Sequence, residues 1–157
     1  MAKILIIYES RYGNTRLVAD TIAEGMAEVA GVETTVSEVK EVDLNQIHAH
    51  DAVLIGSPNH IGRATRSIRK LIDSLDELNN DEKPVAFFDT YLGSDYEKAV
   101  KKMANQIAKK APSWNLVASG LSVRVDKAKG PVTDGELPRC REFGVRIANL
   151  ISDGPKS

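Results

Sequence analysis

The sequence predicts an α/β chain, folded as a single domain over residues 1–157, with five parallel strands between two layers of helices in a doubly wound arrangement. Two observations lead there. Short continuous apolar runs alternate along the chain with segments of helical apolar period, and a polar, turn-rich stretch follows most of the apolar runs. The composition agrees, with 42% hydrophobic and 27% charged residues, ordinary values for a globular chain.

Residues 3–8 form an isoleucine-rich run too short for a typical helix, which suits a strand buried on both faces. Leu17, Val18, Ile22, Met26 and Val29 then mark one stripe of a helix over 15–30, stopped by Gly31. Val32 to Val39 reads as the second strand and Ala52 to Ile55 as the third, closed by Gly56, Ser57 and Pro58. Ile68, Leu71, Ile72, Leu75 and Leu78 define a helix over 64–78. Pro84 to Phe88 is the fourth strand, and Tyr96 to Ala111 a helix ended by Pro112. Leu116 to Val125 contains the fifth strand, bent at Gly120, and Leu137 to Ile151 the last helix. In such sheets ligands bind beyond the carboxyl ends of the strands. The candidate loops are therefore 9–15, 57–63, 89–95 and 126–133.

A net charge of −1 gives no pull toward nucleic acid or an anionic membrane surface. No apolar run approaches the roughly 20 residues of a membrane span. Ile4 to Ile7 is too short for a signal-peptide core, and the lone Cys140 allows no internal disulfide. A cytoplasmic location is expected.

The first candidate loop carries the clearest chemistry. Ser10, Arg11, Tyr12, Gly13, Asn14 and Thr15 stand immediately before a helix, and a helix N-terminus presents unpaired N–H groups and partial positive charge to a phosphate. Gly13 lets the backbone turn inward. The same residues could simply cap the helix. Neither the NTPase phosphate-loop pattern nor the Gly-x-Gly-x-x-Gly dinucleotide pattern is present.

Ser10 to Thr15 after a buried strand resembles the flavodoxin phosphate loop, Ser/Thr-x-Thr/Tyr-Gly-Asn/Ser-Thr. Ser57, Pro58, Asn59, His60, Ile61 and Gly62 are similar to the second flavin loop of that family. Asp89, Thr90, Tyr91, Leu92, Gly93, Asp95 and Tyr96 are similar to its third. The resemblance implies strand order 2-1-3-4-5 in a short-chain form and an FMN cofactor bound by these three loops. Ser10 to Thr15 would wrap the phosphate, while the other two loops would clamp the isoalloxazine ring. It further implies a one-electron carrier between redox partner proteins, working through flavin semiquinone and hydroquinone, with a glycine peptide near Gly62 that turns over on reduction. Either Tyr91 or Tyr96 would stack on the outer face of the ring, and His60 and Ile61 stand where the family often has an aromatic. Asp89 would either bond an amide of its own loop or reach the flavin.

One departure is electrostatic. Arg63, Arg66, Arg69 and Lys70 lie in a stretch, 59–70, without an acidic residue, whereas flavodoxins are usually acidic. The run is either a solvated helix face or a docking and tuning surface beside the flavin. The alternative function is an enzyme of the same fold, an NAD(P)H-dependent quinone reductase or a protoporphyrinogen oxidase-like flavoprotein. A response regulator would need a phosphoacceptor aspartate where Gly56 and Ser57 stand. Two further patterns read as structural. Cys140 and Arg146 have phosphatase-loop spacing but fall inside a helical period, and His48 and His50 lack a third metal ligand.

Overall fold

The structure is a computed structural model that describes residues 1–78 and 82–152. The expected domain span of 1–157 includes 79–81 and 153–157, which lie outside the described residues. Among the described residues six parallel strands form one sheet: β1 (Ala2–Tyr8), β2 (Val32–Glu38), β3 (Ala52–Pro58), β4 (Pro84–Tyr91), β5 (Asn115–Leu116) and β6 (Leu121–Arg124). The order is β2-β1-β3-β4-β5, with β6 also paired to β4. The fifth strand of the expected five is therefore two pieces, broken around Gly120 at φ +104°. The helices are α1 (Asn14–Ala27), α2 (Leu44–His48), α3 (Arg66–Ser74), α4 (Lys98–Lys110) and α5 (Glu136–Ser152). The five-residue α2, started by the Asp43 carboxylate accepting from Gln46 N–H, had no apolar period by which to be recognised.

Successive residues of β1 face opposite ways, and each face has its own core. Ile4 and Ile6 join Val18, Ile22 and Met26 of α1 and Phe143 and Ile147 of α5. Leu5 and Ile7 join Ile68 and Ile72 of α3 and Val100, Met103 and Ile107 of α4. On the first face α1 and α5 touch backbone to backbone: a Cβ on Gly25 would lie 2.1 Å from the Arg141 carbonyl oxygen, and one on Gly144 equally close to that of Ile22.

Two strands run further than their apolar patterns suggest. Ser57 pairs with Asp89 and Pro58 with Thr90, and Asp89 to Tyr91 pair in turn with Ser122 to Arg124. Gly56, Ser57, Pro58, Asp89, Thr90 and Tyr91 are thus strand residues rather than loop. Their side chains look like turn chemistry, but the sheet on both sides supplies their backbone bonds.

Candidate functional site

The site is built at the carboxyl edge of β1, β3 and β4. Beyond Tyr8, Glu9 N–H donates to the Gly56 carbonyl at 3.2 Å, tying the first turn to β3. Gly13, at φ +93°, precedes α1 in the left-handed conformation and lets the chain fold back over the helix start. Ser10 Oγ accepts from the amides of Gly13 at 3.0 Å and Arg16 at 3.3 Å. Among the described residues nothing accepts from the amides of Arg11, Tyr12, Asn14 and Thr15. One turn at the positive end of α1 therefore carries four amides without an acceptor among the described residues. Thr15 is buried, and its hydroxyl is 3.0 Å from that of Thr90 across the cleft.

The second loop divides its residues between structure and site. Ser57 is buried; its hydroxyl donates to the Pro58 carbonyl and accepts from Thr65 N–H at 3.0 Å, so it fixes the start of α3 instead of facing the cleft. Asn59 ties three elements together. Its backbone and side-chain N–H groups both donate to the Thr90 carbonyl, and its Oδ1 accepts from Ala99 N–H of α4 at 3.1 Å. His60 and Arg63 exchange backbone bonds around a tight turn, with Ile61 at φ +54° and Gly62 at φ +71°. Positive φ is natural for Gly62 but strained for a β-branched residue. Ile61 is 83% exposed, so the inner face of the cleft has His60 without it.

The third segment contributes Thr90, Tyr91 and Leu92 to the cleft wall; Gly93, Asp95 and Tyr96 lie outside it. Tyr96 instead meets Tyr91 edge-on, with ring centroids 5.3 Å apart, and Asp95 pairs with Lys98 at 3.2 Å. Of the two tyrosines, Tyr91 is the one that lines the cleft. Asp89 is fully buried and absent from that wall. Its carboxylate accepts from Ser122 Oγ and from Val100 N–H, so the amide it holds belongs to α4 rather than its own loop. Burial pushes its pKa up to about 6, against the opposing hydrogen bonds from Ser122, Val100 and Asn59.

Together these residues enclose a cleft of about 550 Å³, within the usual size for a small-molecule site. Ser10, Arg11, Tyr12, Asn14, Thr15, Pro58, Asn59, His60, Thr90, Tyr91 and Leu92 line it. Glu9 and Ala128, from the candidate loops 9–15 and 126–133 but not singled out there, also line it, as do Thr65, Ser67 and Val125, which had no signal in the sequence beyond their nearness to a candidate loop. The described residues leave two buried side-chain oxygens without a hydrogen-bond partner, Glu9 Oε2 and Thr65 Oγ1. Both belong to this wall. Above the turn before α1, Lys129 Nζ lies 5.8 Å from the centre of the Tyr12 ring.

The basic run does not act as one group. Arg66 enters the cleft wall, while Arg63 and Lys70 are exposed. None of the three has a carboxylate partner among the described residues. Arg69 is half-buried, and its Nε donates to the Ala64 carbonyl at 3.1 Å, so it braces α3. Elsewhere, Cys140 is buried within α5, where burial pushes its thiol up to about 12, unlike a nucleophile. His50 Nδ1 bonds the Gln46 carbonyl, and no group of three metal-ligating side chains occurs among the described residues. No described helix is long and apolar enough to cross a membrane.

A family profile described as "Flavodoxin domain" matches residues 5–124. A flavodoxin of Aquifex aeolicus (strain VF5) is 31% identical over 172 aligned residues, covering 99% of this chain and 92% of that protein. A flavodoxin of Clostridium saccharobutylicum is 28% identical, covering 95% and 97%. Among solved structures, a flavodoxin from the domain Archaea superposes with a TM-score of 0.80 over 96% of this chain and 99% of that one, at 23% identity. That last likeness concerns the fold.

Proposed function

The chain belongs to the flavodoxin family, and from that premise we propose that it carries electrons between redox proteins with FMN held in the cleft beyond β1, β3 and β4. The observation that carries this reading is the set of unpaired amides at Arg11, Tyr12, Asn14 and Thr15. Amides left without an acceptor at a helix start beside a cleft are available to an anionic ligand. FMN supplies an isoalloxazine ring that accepts and releases electrons singly or in pairs.

The chain's own residues then have distinct tasks. The four amides and the α1 dipole take the phosphate without needing a cation, and the Ser10 and Thr15 hydroxyls can turn toward it. His60 and Tyr91 flank the ring, with Asn59 and Asp89 keeping the second loop, β4 and α4 in register around it. Arg63, Arg66 and Lys70 would dock an acidic face of a partner and speed encounter at low salt. A second reading draws on Arg66 and Ser67, which bring a cation and a hydroxyl to the same wall. They would receive the phosphate of a nicotinamide dinucleotide in a directly reduced enzyme. Bleaching of the yellow protein by NADPH with a quinone present would favour that enzyme.

Titration of the purified protein with FMN and riboflavin tests the main reading. One-to-one uptake with FMN bound far more tightly is expected. Equal affinities would overturn the assignment of the turn to a phosphate.

A further inference from the structure

The loop after β6 is held shut by its own bonds. Val125 and Val132 pair across it, Asp126 N–H donates to the Pro131 carbonyl at 2.9 Å, and Gly130 N–H donates to that of Lys127 at 2.8 Å. Thr133 Oγ1 donates to the Asp126 carboxylate at 2.8 Å. Val125 N–H donates to the Tyr91 carbonyl at 2.9 Å, which ties the loop to β4. Braced in this way, the loop leans on the turn before α1 at two places. Lys129 stands over the Tyr12 ring. Gly130 meets Asn14: a Cβ at position 130 would lie 2.5 Å from Asn14 Oδ1 and 3.1 Å from its Cγ and Nδ2. That is closer than two such atoms can stand, so the carboxamide keeps its place only because residue 130 has no side chain. Asn14 lines the cleft and Gly130 does not. The Asn14 carboxamide makes no hydrogen bond among the described residues. An asparagine beside open amides at a helix start readily turns its side chain onto them, and such a bond would compete with a ligand for the same donors.

Resting on the FMN reading, we propose that Gly130 is a positioning residue for phosphate binding: its missing side chain leaves a seat for the Asn14 carboxamide, and the seat keeps that carboxamide from closing over the amides of Arg11, Tyr12, Asn14 and Thr15. Gly130 touches no ligand and takes no part in electron transfer. Its effect runs through the phosphate, so it sets the preference for FMN over riboflavin.

The test is a double-variant cycle of wild type, Gly130→Ala, Asn14→Ala and the two together. Fluorescence quenching gives the FMN and riboflavin affinities, and circular dichroism checks folding. Gly130→Ala should weaken FMN about tenfold, the size of one charge-assisted hydrogen bond, and leave riboflavin within about twofold. In the Asn14→Ala background the same change should cost FMN less than about twofold, because the added methyl then meets no carboxamide. The cycle separates this contact from the strain of alanine at φ +100°, which is the same in both backgrounds. In the FMN-free protein the side-chain NMR signal of Asn14 should shift in Gly130→Ala. If Gly130→Ala fails to fold, Asn14→Ala should restore folding, and failure of the double variant as well would overturn the proposal. So would an unmoved Asn14 signal, equal losses for the two flavins, or an FMN loss that is undiminished in the Asn14→Ala background. A wild type that binds FMN no better than riboflavin sinks the phosphate turn and this role with it. A wild-type preference that survives Gly130→Ala sinks the role of Gly130 alone.

Discussion

At the amino edge of the sheet Lys83 Nζ donates to the carbonyls of Ile47, His48 and His50, closing the end of α2. Beside it the Asp51 carboxylate accepts from Lys3 N–H at 2.7 Å. At the carboxyl edge the amides of Arg11, Tyr12, Asn14 and Thr15 and the oxygens of Glu9 and Thr65 have no such partner among the described residues. The two edges belong to the same strands and differ in what completes them. One is closed by the chain itself and contributes stability. The other keeps donors open, and each of its two buried unpaired oxygens costs about 1–3 kcal/mol.

The sharpest way to break this comparison is to remove hydroxyls from the open edge. Ser10→Ala with Thr15→Ala should lower FMN affinity by about 3–6 kcal/mol, at roughly 1.5–3 per charge-assisted bond. The FMN-free protein should lose only about 1–2 kcal/mol, chiefly the helix-start bonds of Ser10. Calorimetric titration and chemical denaturation measure the two quantities. Equal losses would mean that the open edge is as structural as the closed one.

Asp89 stands just behind the cleft wall and gives a pH signature of its own. Its folded pKa of about 6 lies above the ordinary aspartate value of 3.8, because burial disfavours the carboxylate. The folded state therefore binds this proton more tightly than the unfolded one. The contribution to stability is complete below about pH 4 and is lost as pH rises through 6, a change of about 3 kcal/mol. Asp89→Asn should remove that component, visible as a flatter pH dependence of the variant's unfolding free energy than of the wild type's over pH 4–7. An unchanged slope would show that Asp89 is ionised at lower pH than its burial implies.

At the closed edge, Lys83→Met should cost about 1.5–3 kcal/mol of unfolding free energy, since three carbonyls lose a charged donor. FMN affinity should stay the same. A matching fall in affinity would couple the two edges through β4. The smallest expected effect concerns the basic run. Arg66→Gln should lower the reduction potential of the bound cofactor by about 20–40 mV at low salt, with screening reducing the shift at high salt. Arg63→Gln should do less, because Arg63 lies outside the cleft wall. A fixed midpoint with slower transfer to an acidic partner would leave Arg66 a docking group only.

Much of the carboxyl edge was legible because it is contiguous. Ser10 to Thr15 bring hydroxyls, a glycine and a helix start together within six residues, so local chemistry and tertiary position coincide. The segments after β3 and β4 were less legible. Gly56, Ser57 and Pro58 carry turn-like side chains yet pair within the sheet, since β4 supplies the missing backbone bonds. Asp89 looked like a cleft residue until Ser122, from a distant strand, and the start of α4 closed around it. Arg63, Arg66, Arg69 and Lys70 formed one run in sequence, but helical geometry sends Arg69 to the Ala64 carbonyl and Arg66 into the cleft.

The alternation of strands and helices, the two-faced burial of β1 and the glycine turn before α1 follow from the amino-acid order alone. Apolar period and local turn chemistry depend on near neighbours. Tertiary structure alone decided where β3 and β4 end, which tyrosine lines the cleft, and which polar atoms stay unpaired there. Those outcomes depend on partners far along the chain, such as Thr90 for Thr15 and Ser57 for Thr65. Glu9 and Thr65 show the difference most plainly: each is an ordinary polar residue until the strands around it shut out both water and any partner.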